Sequence, residues 1–411
     1  MAVTLEDCKK IIQRYTKDDS TAVAFQVVTL SDTPAGYLGE HYRLCITYKT
    51  SQNRLQIANF FLKCVPTGNQ NFTDYVLELG VFRKEANLYK HLLNDFQKHH
   101  TAQIAPKSYL VNPESFIVLE DLSKKGFSMV DQLSHENIVQ LMKTLARFHS
   151  SSIIFEERRS FPGKPYKLID HFPDELKETT FSPVEGSARY KWGISTSKAV
   201  ANTILMQSQS YTQIAEDFLK FAQTDIFEYV FPSKKFRNVI CHADLWKNNA
   251  LFKNTSNGTD ECVLIDYQLV RYTPPALDVM TALHVNCSTS YLKDNMKELL
   301  NTYYNTFKDC LQKHGVSIDV VFKGNEFQES IDHYEIASLT ESAMFGTIIF
   351  IGKELGQQLT SDENAFNEFN YTNRSKYIMN EIANNPAFES RYTDILNRLI
   401  GYLLKRNVSK I

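Results

Sequence analysis

The sequence lacks any apolar run long enough for a membrane-spanning helix, which needs roughly 18 or more consecutive apolar residues. Its first residues, MAVTLEDCKKIIQRY, place charges early and contain no apolar segment of the kind that a secretory signal requires. A charge excess of one sign is also missing, because 45 Lys and Arg oppose 47 Asp and Glu, for a formal net charge of -2. So weak a field does not hold nucleic acid or an anionic membrane, and we expect neither as a partner.

Cysteine patterns typical of disulfide or zinc scaffolds are absent as well. The seven cysteines are scattered, none forms a Cys-x-x-Cys pair, and their number is odd. This indicates reduced thiols in a reducing compartment, and we expect the protein in the cytoplasm. The chain ends in Ser409-Lys410-Ile411, close to the peroxisomal Ser-Lys-Leu address, so that compartment stays open as an alternative.

A length of 411 residues exceeds what one hydrophobic core usually organises, so two domains are expected. Residues 41–49 and 55–66 are rich in β-branched and aromatic residues and flank a polar tetrapeptide, which predicts a β-hairpin. A helix over about 74–95 follows. SYLVNP and SFIVLEDL predict a second hairpin.

Helical patterns dominate the rest of the chain, beginning with HENIVQLMKTLARFHSSSI and interrupted by the short runs RNVICHADL and ECVLIDYQL. The predicted fold class is α+β, with a small β-rich N-lobe over 1–121 and a large, mostly helical C-lobe over 122–411. The segment 155–200 mixes proline, glycine and charge, and predicts irregular surface structure or an insertion. ESAMFGTIIFIGKELG, residues 341–356, predicts one apolar helix.

Two charged residues occupy positions where the pattern favours apolar ones. Lys63 shares a strand face with apolar neighbours, and Glu85 lies on the apolar stripe of the following helix. A buried ammonium needs a partner or a ligand, so the two indicate an ion pair. A purely structural pair, or a lysine that reaches solvent, stays open. Gly36 and Gly39 precede these strands at a spacing that allows a loop to cover a phosphate, although any hairpin uses such glycines.

The stretch richest in reactive groups is VICHADLWKNNALF, residues 239–252, whose polar centre lies between two apolar runs. It contains His242-x-Asp244 followed by Asn249, and Asp266 comes later at the end of the apolar run VLID. Phosphoryl transfer needs these group types: a carboxylate that orients the attacking hydroxyl and accepts its proton, and oxygen ligands for Mg²⁺. The residues alone would also fit turn capping, or a metal site for hydrolysis.

The motifs CHADLWKNNALF, LIDYQLVRYTPPALDV, FIVLEDLSKKGF and LARFHS resemble the ecdysteroid-kinase-like (CHK kinase-like) family. That family belongs to the choline kinase and aminoglycoside phosphotransferase branch of the protein-kinase-like fold. The resemblance covers residues 25–350 approximately. It implies a bilobal fold whose N-lobe covers the nucleotide, and an ATP- and Mg²⁺-dependent transfer of phosphate to a small molecule.

The resemblance also implies a role for each motif residue. Asp244 is the catalytic base, and Asn249 and Asp266 bind Mg²⁺. Lys63 contacts the ATP phosphates and is held by Glu85.

Supporting roles follow in the same way. The segment Glu120, Asp121 and Leu122 is the interlobe hinge where adenine docks. His242 and Asp278 support the catalytic loop.

Three departures from the family pattern stand out. Ala243 replaces a glycine, which costs on the order of 1 kcal/mol if the site needs a positive φ. Tyr267 and Gln268 follow the metal-binding aspartate where protein kinases have Phe-Gly. The glycine loop retains only Gly36 and Gly39, so phosphate binding rests more on the lysine and on backbone amides. None of these removes a group that the reaction needs.

Protein-kinase features are missing after Asp266, because TPPALDV follows within a few residues and no Ala-Pro-Glu element appears. So short a connection leaves little platform for a peptide and predicts a pocket for a small alcohol. The resemblance points to ecdysteroid-like steroids, or to xenobiotic alcohols and phenols that are phosphorylated for detoxification. Aromatic residues of the C-lobe are candidates to line such a pocket, with plain core packing as the alternative: Tyr190, Trp192, Tyr303, Tyr304, Phe345 and Phe350.

Two other functions stay open. One is a catalytically weak kinase-fold protein that binds a lipophilic ligand. The other is a choline- or ethanolamine-type kinase, although no acidic and aromatic cage for a quaternary ammonium stands out. No obligate protein partner is evident in the sequence.

Overall fold

The computed structural model describes residues 3–30, 39–66, 70–254 and 261–408. The described strands are β1 (Thr21–Thr29), β2 (Glu40–Lys49), β3 (Leu55–Cys64), β4 (Ser108–Asn112), β5 (Phe116–Glu120), β6 (Val239–Cys241), β7 (Ala250–Lys253), β8 (Glu261–Leu264) and β9 (Arg271–Thr273). The described α-helices are α1 (Leu5–Thr16), α2 (Gln70–Leu79), α3 (Val81–Leu88), α4 (Asn94–Gln97), α5 (His135–Glu157), α6 (Leu168–His171), α7 (Pro173–Leu176), α8 (Ala188–Gln207), α9 (Thr212–Lys220), α10 (Phe227–Val230), α11 (Pro275–Asn286), α12 (Thr289–Lys313), α13 (Glu326–Ile349), α14 (Lys353–Ser361), α15 (Glu363–Asn367), α16 (Arg374–Asn384) and α17 (Pro386–Val408). The predicted α+β class is confirmed, because an antiparallel sheet dominates the N-terminal region and helices dominate the C-terminal region.

The chain divides into two compact units. The first comprises Met1–Asp131 with Ala250–Gln268, and the second Gln132–Asn249 with Leu269–Ile411. A segment from the middle of the chain therefore belongs with the N-terminal residues. The functional division at residue 121, between nucleotide-covering and catalytic regions, stays a prediction.

The first unit is built on a five-stranded antiparallel sheet in the order β1-β2-β3-β5-β4. The two predicted hairpins are present as β2–β3 and β4–β5. Alternate residues of β3, such as Phe60 and Leu62, enter a hydrophobic core to which α1 contributes Ile11 and Ile12. Because side chains alternate across a strand, Lys63 projects on the opposite face from this core.

The hairpin β7–β8 completes the first unit. Ser128 and Phe252 exchange two backbone hydrogen bonds of 2.9 Å, and Leu264 N donates to Ile104 O at 3.0 Å. These bonds tie residues 250–268 to residues 104–128, and they place Asp266, which follows β8, in the same unit as Lys63.

The predicted helix over 74–95 is broken. Gly80 separates α2 from α3 with a φ of 65°, in the left-handed region that glycine adopts without steric cost. A π-helical turn, Tyr89–Leu93, then joins α3 to α4. The break sets the direction of α3, which carries Glu85.

The second unit is helical, and the long amphipathic helix predicted at HENIVQ is α5. Ser134 begins it with a capping box, in which its Oγ accepts from Asn137 N while Asn137 Oδ1 accepts from Ser134 N. Helix α5 packs against α12, and α11 packs against α13. The short strands β6 and β9 pair with each other and hold the ends of the VICHADL and VRYTPP segments together.

Two predictions in this unit are wrong. The segment 155–200 is not wholly irregular, since α5 runs to Glu157, α6 and α7 follow, and Ser187 caps α8, which begins at Ala188. The apolar run 341–356 is not one helix, because α13 ends at Ile349 and α14 starts at Lys353, across a bend of 80°.

Among the described residues, no single helix has the length and apolar composition needed to cross a membrane. The bent pair α13 and α14 meets that criterion only when the two are taken together. The seven cysteines all lie in the described ranges and are free thiols. The C-terminal Ser409-Lys410-Ile411 lies outside those ranges.

Candidate active site

The first unit brings three ionisable side chains together. Lys63 Nζ donates to Glu85 Oε2 at 2.6 Å and to Asp266 Oδ1 at 2.6 Å. Lys63 is 4% exposed and Glu85 is 1% exposed, so the ammonium is buried between two carboxylates. The ion pair expected from the pattern is present, and Asp266 joins it.

The electrostatics of this group favour a charged lysine. Burial alone would lower the pKa of Lys63, but the charges of Asp266 and Glu85 outweigh it and raise the pKa. One ammonium facing two carboxylates leaves the group with an excess of negative charge. Such a site is suited to receive a further cation.

His41 lies beside the group, because it is the residue opposite Lys63 in the β2–β3 pair. Opposed residues of an antiparallel pair project on the same face of the sheet. Burial, followed by the charge of Lys63, lowers the pKa of His41 to about 4, against an opposing effect of Asp266. The imidazole is therefore neutral at physiological pH, and it packs on Phe61 with ring centroids 5.3 Å apart.

Gly39 lies directly against the side chain of Lys63. A Cβ at this position would lie 2.9 Å from Lys63 Cε, closer than real Cβ contacts allow, and 3.3 Å from Lys63 Cγ, tighter than most of them. The glycine thus permits the backbone before β2 to approach the lysine side chain. Gly36, the other glycine of the predicted phosphate loop, lies outside the described residues.

The turn after β8 fixes the Asp266 carboxylate. Asp266 has a φ of 66°, a left-handed conformation that aspartate tolerates better than most residues. Tyr267 N donates to Glu85 Oε1 at 3.2 Å, and Gln268 Nε2 donates to Asp266 Oδ2 at 3.1 Å. Of the two residues that depart from Phe-Gly, Gln268 thus adds a side-chain hydrogen bond to the acidic group, whereas the Tyr267 hydroxyl donates to Ile104 O at 3.2 Å.

The three residues of the predicted adenine hinge make hydrogen bonds within the first unit. Asp121 accepts from Ser123 N at 3.2 Å and from Arg43 Nε at 2.9 Å. Glu120 Oε2 accepts from Gln103 Nε2 at 2.7 Å. Leu122 O accepts from Phe127 N at 3.2 Å. Docking of adenine at this segment stays a prediction.

In the second unit, Asp278 of α11 holds the start of the loop that carries Asp244 and Asn249. His242 N donates to Asp278 Oδ2 at 2.6 Å, and Ala243 N donates to Asp278 Oδ1 at 2.9 Å. Ala243 has a φ of 63°, the left-handed conformation in which glycine would be unstrained. The two amide bonds to one buried carboxylate hold this strained turn in place.

Asp244 and Asn249 form a local pair in the same loop. Asn249 Nδ2 donates to Asp244 O at 2.7 Å and to Asp244 Oδ2 at 2.9 Å. Asp244 is half-buried and Asn249 is buried. This contact explains the spacing of the motif, because the chain turns back after Asp244 and brings the Asn249 amide to its carboxylate.

His149 of α5 is a residue that the sequence reasoning missed. Its Nε2 lies 3.0 Å from Asp278 Oδ2, and its Nδ1 lies 2.8 Å from Tyr303 Oη. Burial alone would raise the pKa of Asp278, but the hydrogen bond and charge of His149 outweigh it and lower the pKa. The quoted motif LARFHS contains this histidine, although nothing in its spacing indicates a partner 129 positions away.

His149, Cys241 and Asp278 also have ligand atoms within 4.8 Å of one another, and all three are buried. Each already has a partner in the fold. Asp278 accepts the two loop amides, and Cys241 Sγ donates to Thr273 O at 3.4 Å. We interpret the cluster as support for the loop.

The residues predicted to bind Mg²⁺ have suitable donor atoms. The nitrogen of the Asn249 amide is turned toward Asp244, so the other end of the amide, a carbonyl oxygen, is the atom that can ligate a cation. Asp266 contributes a carboxylate in a group with excess negative charge. Carboxylate and carbonyl oxygens are the ligands that Mg²⁺ prefers.

The structure sorts the aromatic pocket candidates into separate clusters. Trp192 and Phe345 are buried with ring centroids 6.3 Å apart, and Phe181 lies 6.0 Å from Trp192. Tyr303 and Tyr304 instead both stack near Phe327. Tyr190 and Phe350 are half-buried.

Comparison with known proteins places this geometry in a family. The model of the ecdysteroid kinase-like family matches residues 34–316. An uncharacterized kinase-like protein of Caenorhabditis elegans is 26% identical over 202 residues, which are 47% of this chain and 47% of that protein. The match therefore spans about half the length of the curated relative.

Two solved structures also resemble the chain. One is the GDP and kanamycin complex of APH(2″)-IIIa, with a TM-score of 0.39 at 12% identity, covering 93% of this chain and all of that one. The other is a microcompartment-associated aminopropanol kinase, with a TM-score of 0.32 at 12% identity, covering 93% of this chain and 98% of that one. The family match, which covers more than half of the chain, supports a small-molecule kinase-like phosphotransferase. The chain belongs to the ecdysteroid kinase-like family.

Proposed function

We propose that the protein is an ATP- and Mg²⁺-dependent kinase that phosphorylates a hydroxyl of a small lipophilic alcohol. The observation that carries the proposal is the buried Lys63 ammonium, held by Glu85 and Asp266 in a family of kinase-like proteins. A purely structural ion pair needs one acid, whereas this lysine contacts two. Asp266 also comes from the motif that supplies a metal ligand in phosphoryl transfer.

In the proposed reaction, Lys63 neutralises phosphate oxygens of the nucleotide, and Glu85 fixes its ammonium. We assign Asn249 and Asp266 to Mg²⁺ from the order of the motif along the chain. When bound, the ion supplies further charge neutralisation at the phosphates. Gly39 keeps the backbone close to the lysine, as phosphate binding by backbone amides requires.

Asp244 is the proposed catalytic base. Its carboxylate orients the acceptor hydroxyl and takes its proton as the oxygen bonds to the terminal phosphorus, whose bond to the bridging oxygen breaks and releases ADP. The bond from Asn249 Nδ2 to Asp244 Oδ2 fixes the plane of the carboxylate, and we assign the second oxygen to the hydroxyl. General base catalysis of this kind contributes roughly 10²- to 10⁴-fold to the rate.

The acceptor class rests on the family and on the short connection between Asp266 and α11, which starts at Pro275. We propose an ecdysteroid-like steroid, or a xenobiotic alcohol or phenol. Trp192 and Phe345 form a buried aromatic cluster, whose apolar character matches that of such a ligand.

The test is ADP release by the purified protein with Mg²⁺-ATP and a panel of steroid, phenolic and amino-alcohol acceptors. Asp244→Asn and Asp266→Asn keep side-chain size while removing the charge of the proposed base and of one proposed metal ligand. Asp294→Asn, at an exposed position of α12, is the matched control. We expect acceptor-dependent turnover that falls at least about a hundredfold in the first two variants and is unchanged in the third.

Other outcomes separate the alternatives. Binding of a lipophilic acceptor that survives in Asp244→Asn, with no turnover in the wild type, would favour a ligand-binding protein. Turnover with amino alcohols alone would favour a choline- or ethanolamine-type kinase. Product formation without nucleotide would overturn the kinase proposal.

A further inference from the structure

The catalytic loop is held from a second side by the last residue of α11. Asn286 Nδ2 donates to Leu245 O at 2.7 Å. Leu245 directly follows Asp244, whereas Asp278 holds the amides of the two residues that precede it. One helix thus contacts the backbone immediately before and immediately after the proposed base.

The contact comes from a fixed point of the fold. Asn286 Nδ2 also donates to Ala282 O at 2.8 Å, one turn earlier in its own helix. Two arginines of α17 hold the same end of α11: Arg391 Nη2 donates to Val285 O at 2.8 Å, and Arg398 Nη2 donates to His284 O at 2.8 Å. The side chain that reaches the loop is therefore anchored by its own helix and by the C-terminal helix.

The loop needs such an anchor on its far side. Ala243 is held with a φ of 63°, a conformation that persists only when its surroundings over-determine it. Asp278 secures the residues up to Ala243, but its bonds do not reach the peptide after Asp244. Asn249 Nδ2 closes the loop on Asp244 from within, and the bond at Leu245 O ties this closed turn to α11.

We infer that Asn286 is a positioning residue for Asp244, acting through the Leu245 carbonyl. The inference rests on the proposed function for its kinetic consequence, since it assigns to Asn286 the placement of the proposed base. Misplacement of a catalytic group by about 1 Å costs roughly a hundredfold in rate. Lys63 and Asp266, to which we assign the nucleotide phosphates and one ligand of Mg²⁺, lie in the first unit and take no part in this contact.

The experiment compares Asn286→Ala with a matched control, Asn295→Ala. Asn295 of α12 makes the same kind of bond, from Nδ2 to Tyr291 O at 2.8 Å, and this bond stays within its own helix. Asn286→Asp serves as a second variant of unchanged size, in which a carboxylate oxygen replaces the donor facing Leu245 O. Two readouts are taken for each protein: steady-state kinetics, and hydrogen exchange of the backbone amides in residues 240–252.

We expect kcat to fall about 10- to 100-fold in both Asn286 variants, while KM for the nucleotide stays within about twofold. Exchange of the loop amides should accelerate about tenfold or more. Asn295→Ala should change neither quantity. If Asn286 had only a structural role, its variants would be less stable, but kcat would not fall selectively while the KM for the nucleotide stayed constant.

The two readouts distinguish failure of this inference from failure of the proposed function. If loop exchange in the Asn286 variants matches that of Asn295→Ala, the positioning role is overturned, whatever the activity. If exchange accelerates but kcat does not fall in an active enzyme, the link to Asp244 is overturned. If the wild type transfers no phosphate to any acceptor, the proposed function fails, and exchange alone decides whether Asn286 positions the loop.

Discussion

Two motif residues without the freedom of glycine adopt left-handed backbone conformations. Ala243 has a φ of 63° and Asp266 a φ of 66°, and each lies at the centre of one of the two groups of candidate residues. The other described non-glycine residues with positive φ, Lys17 and Asn53, lie at a helix end and in a hairpin turn, where such angles are ordinary. Backbone strain inside such groups of polar residues, by contrast, is typical of functional sites.

The strain at Ala243 predicts an unusual response to glycine. A left-handed conformation costs a non-glycine residue about 1–2 kcal/mol, so Ala243→Gly relieves strain while losing a buried methyl group. Ala199→Gly in α8 also removes a buried methyl, but it adds about 1 kcal/mol of helix-propensity cost. We expect Ala243→Gly to be more stable than Ala199→Gly by at least about 1 kcal/mol in urea unfolding. Equal losses of stability would contradict the assigned backbone strain.

The neutral His41 predicts a pH dependence of stability. Its pKa is lowered to about 4 in the folded state, below the ordinary value of about 6.5 that applies to the unfolded chain. As pH falls between these values, the unfolded state binds the proton first, so stability is present above about pH 6.5 and is lost on acidification. Between pH 7 and pH 5, the free energy of unfolding of the wild type should fall by at most about 2 kcal/mol more than that of His41→Gln.

Urea unfolding at the two pH values measures the difference, with His135→Gln, an exposed histidine variant, as the control. The control should keep the pH dependence of the wild type. If His41→Gln shows the same pH dependence of stability as the wild type, the neutral His41 imidazole is not the source of that dependence.

At the scale of secondary structure elements, α13 and α17 approach each other at a glycine. A Cβ on Gly346 would lie 3.0 Å from Tyr392 Cδ2 and 3.2 Å from Tyr392 Cε2, and Tyr392 is fully buried. Gly346→Ala should therefore lower the free energy of unfolding by about 1–2 kcal/mol, because overpacking outweighs the gain of about 1 kcal/mol in helix propensity.

The matched control is Gly193→Ala in α8, where no atom lies within 4 Å of the added Cβ. It should raise the free energy of unfolding by up to about 1 kcal/mol. Opposite signs for two glycine-to-alanine changes inside helices are the expected result of thermal or urea unfolding. A stabilised Gly346→Ala protein would show that α17 can move away from α13 at no cost.

The elements that follow a local rule could be predicted from the sequence. The alternating strands of β2 and β3 and the long amphipathic α5 are encoded in periodicity, and the structure has them. Prediction failed where one residue decides, as at Gly80, which breaks an otherwise continuous helical pattern. It also failed at α8, because its burial depends on α16, far along the chain, and its own pattern is only weakly amphipathic.

The same distinction applies to the candidate site. Lys63 and Glu85 can be predicted because each charge interrupts an apolar pattern, and Asp244 and Asn249 because their residue types stand at the spacing of a phosphoryl-transfer motif. Contacts between distant residues were not visible. His149 contacts Asp278, and Asn286 contacts the loop, through the packing of elements distant in sequence, and no feature near either residue indicates its partner.

At the scale of the whole molecule, the chain distributes the candidate residues between its two compact units. Lys63, Glu85 and Asp266 belong to the first unit, and Asp244 and Asn249 to the second, although Asn249 and Ala250 are neighbours in sequence. If the first unit carries the nucleotide-binding charges and the second the base, binding and transfer can be separated by mutation.

Titration with a fluorescent ATP analogue and Mg²⁺ tests this separation. Asp244→Asn should bind the nucleotide within about twofold of the wild type while losing turnover, because the base does not contribute to ground-state binding. Lys63→Arg keeps the buried charge but not the compact ammonium held between two carboxylates, so its affinity should fall about tenfold or more, or at least 1.4 kcal/mol.

Both variants retain the charge balance around Glu85 and Asp266 better than a neutral replacement of Lys63, which would leave the buried Glu85 and the half-buried Asp266 without their cation and lower stability by several kcal/mol. Circular dichroism at the titration temperature confirms that each protein is folded before affinities are compared. Equal loss of affinity in Asp244→Asn and Lys63→Arg would mean that the base also holds the nucleotide, and the assignment of binding to the first unit would be wrong. We predict that only Lys63→Arg loses nucleotide affinity, because its side chain belongs to the buried lysine group. Asp244→Asn should lose turnover alone, because it alters the Asp244–Asn249 pair.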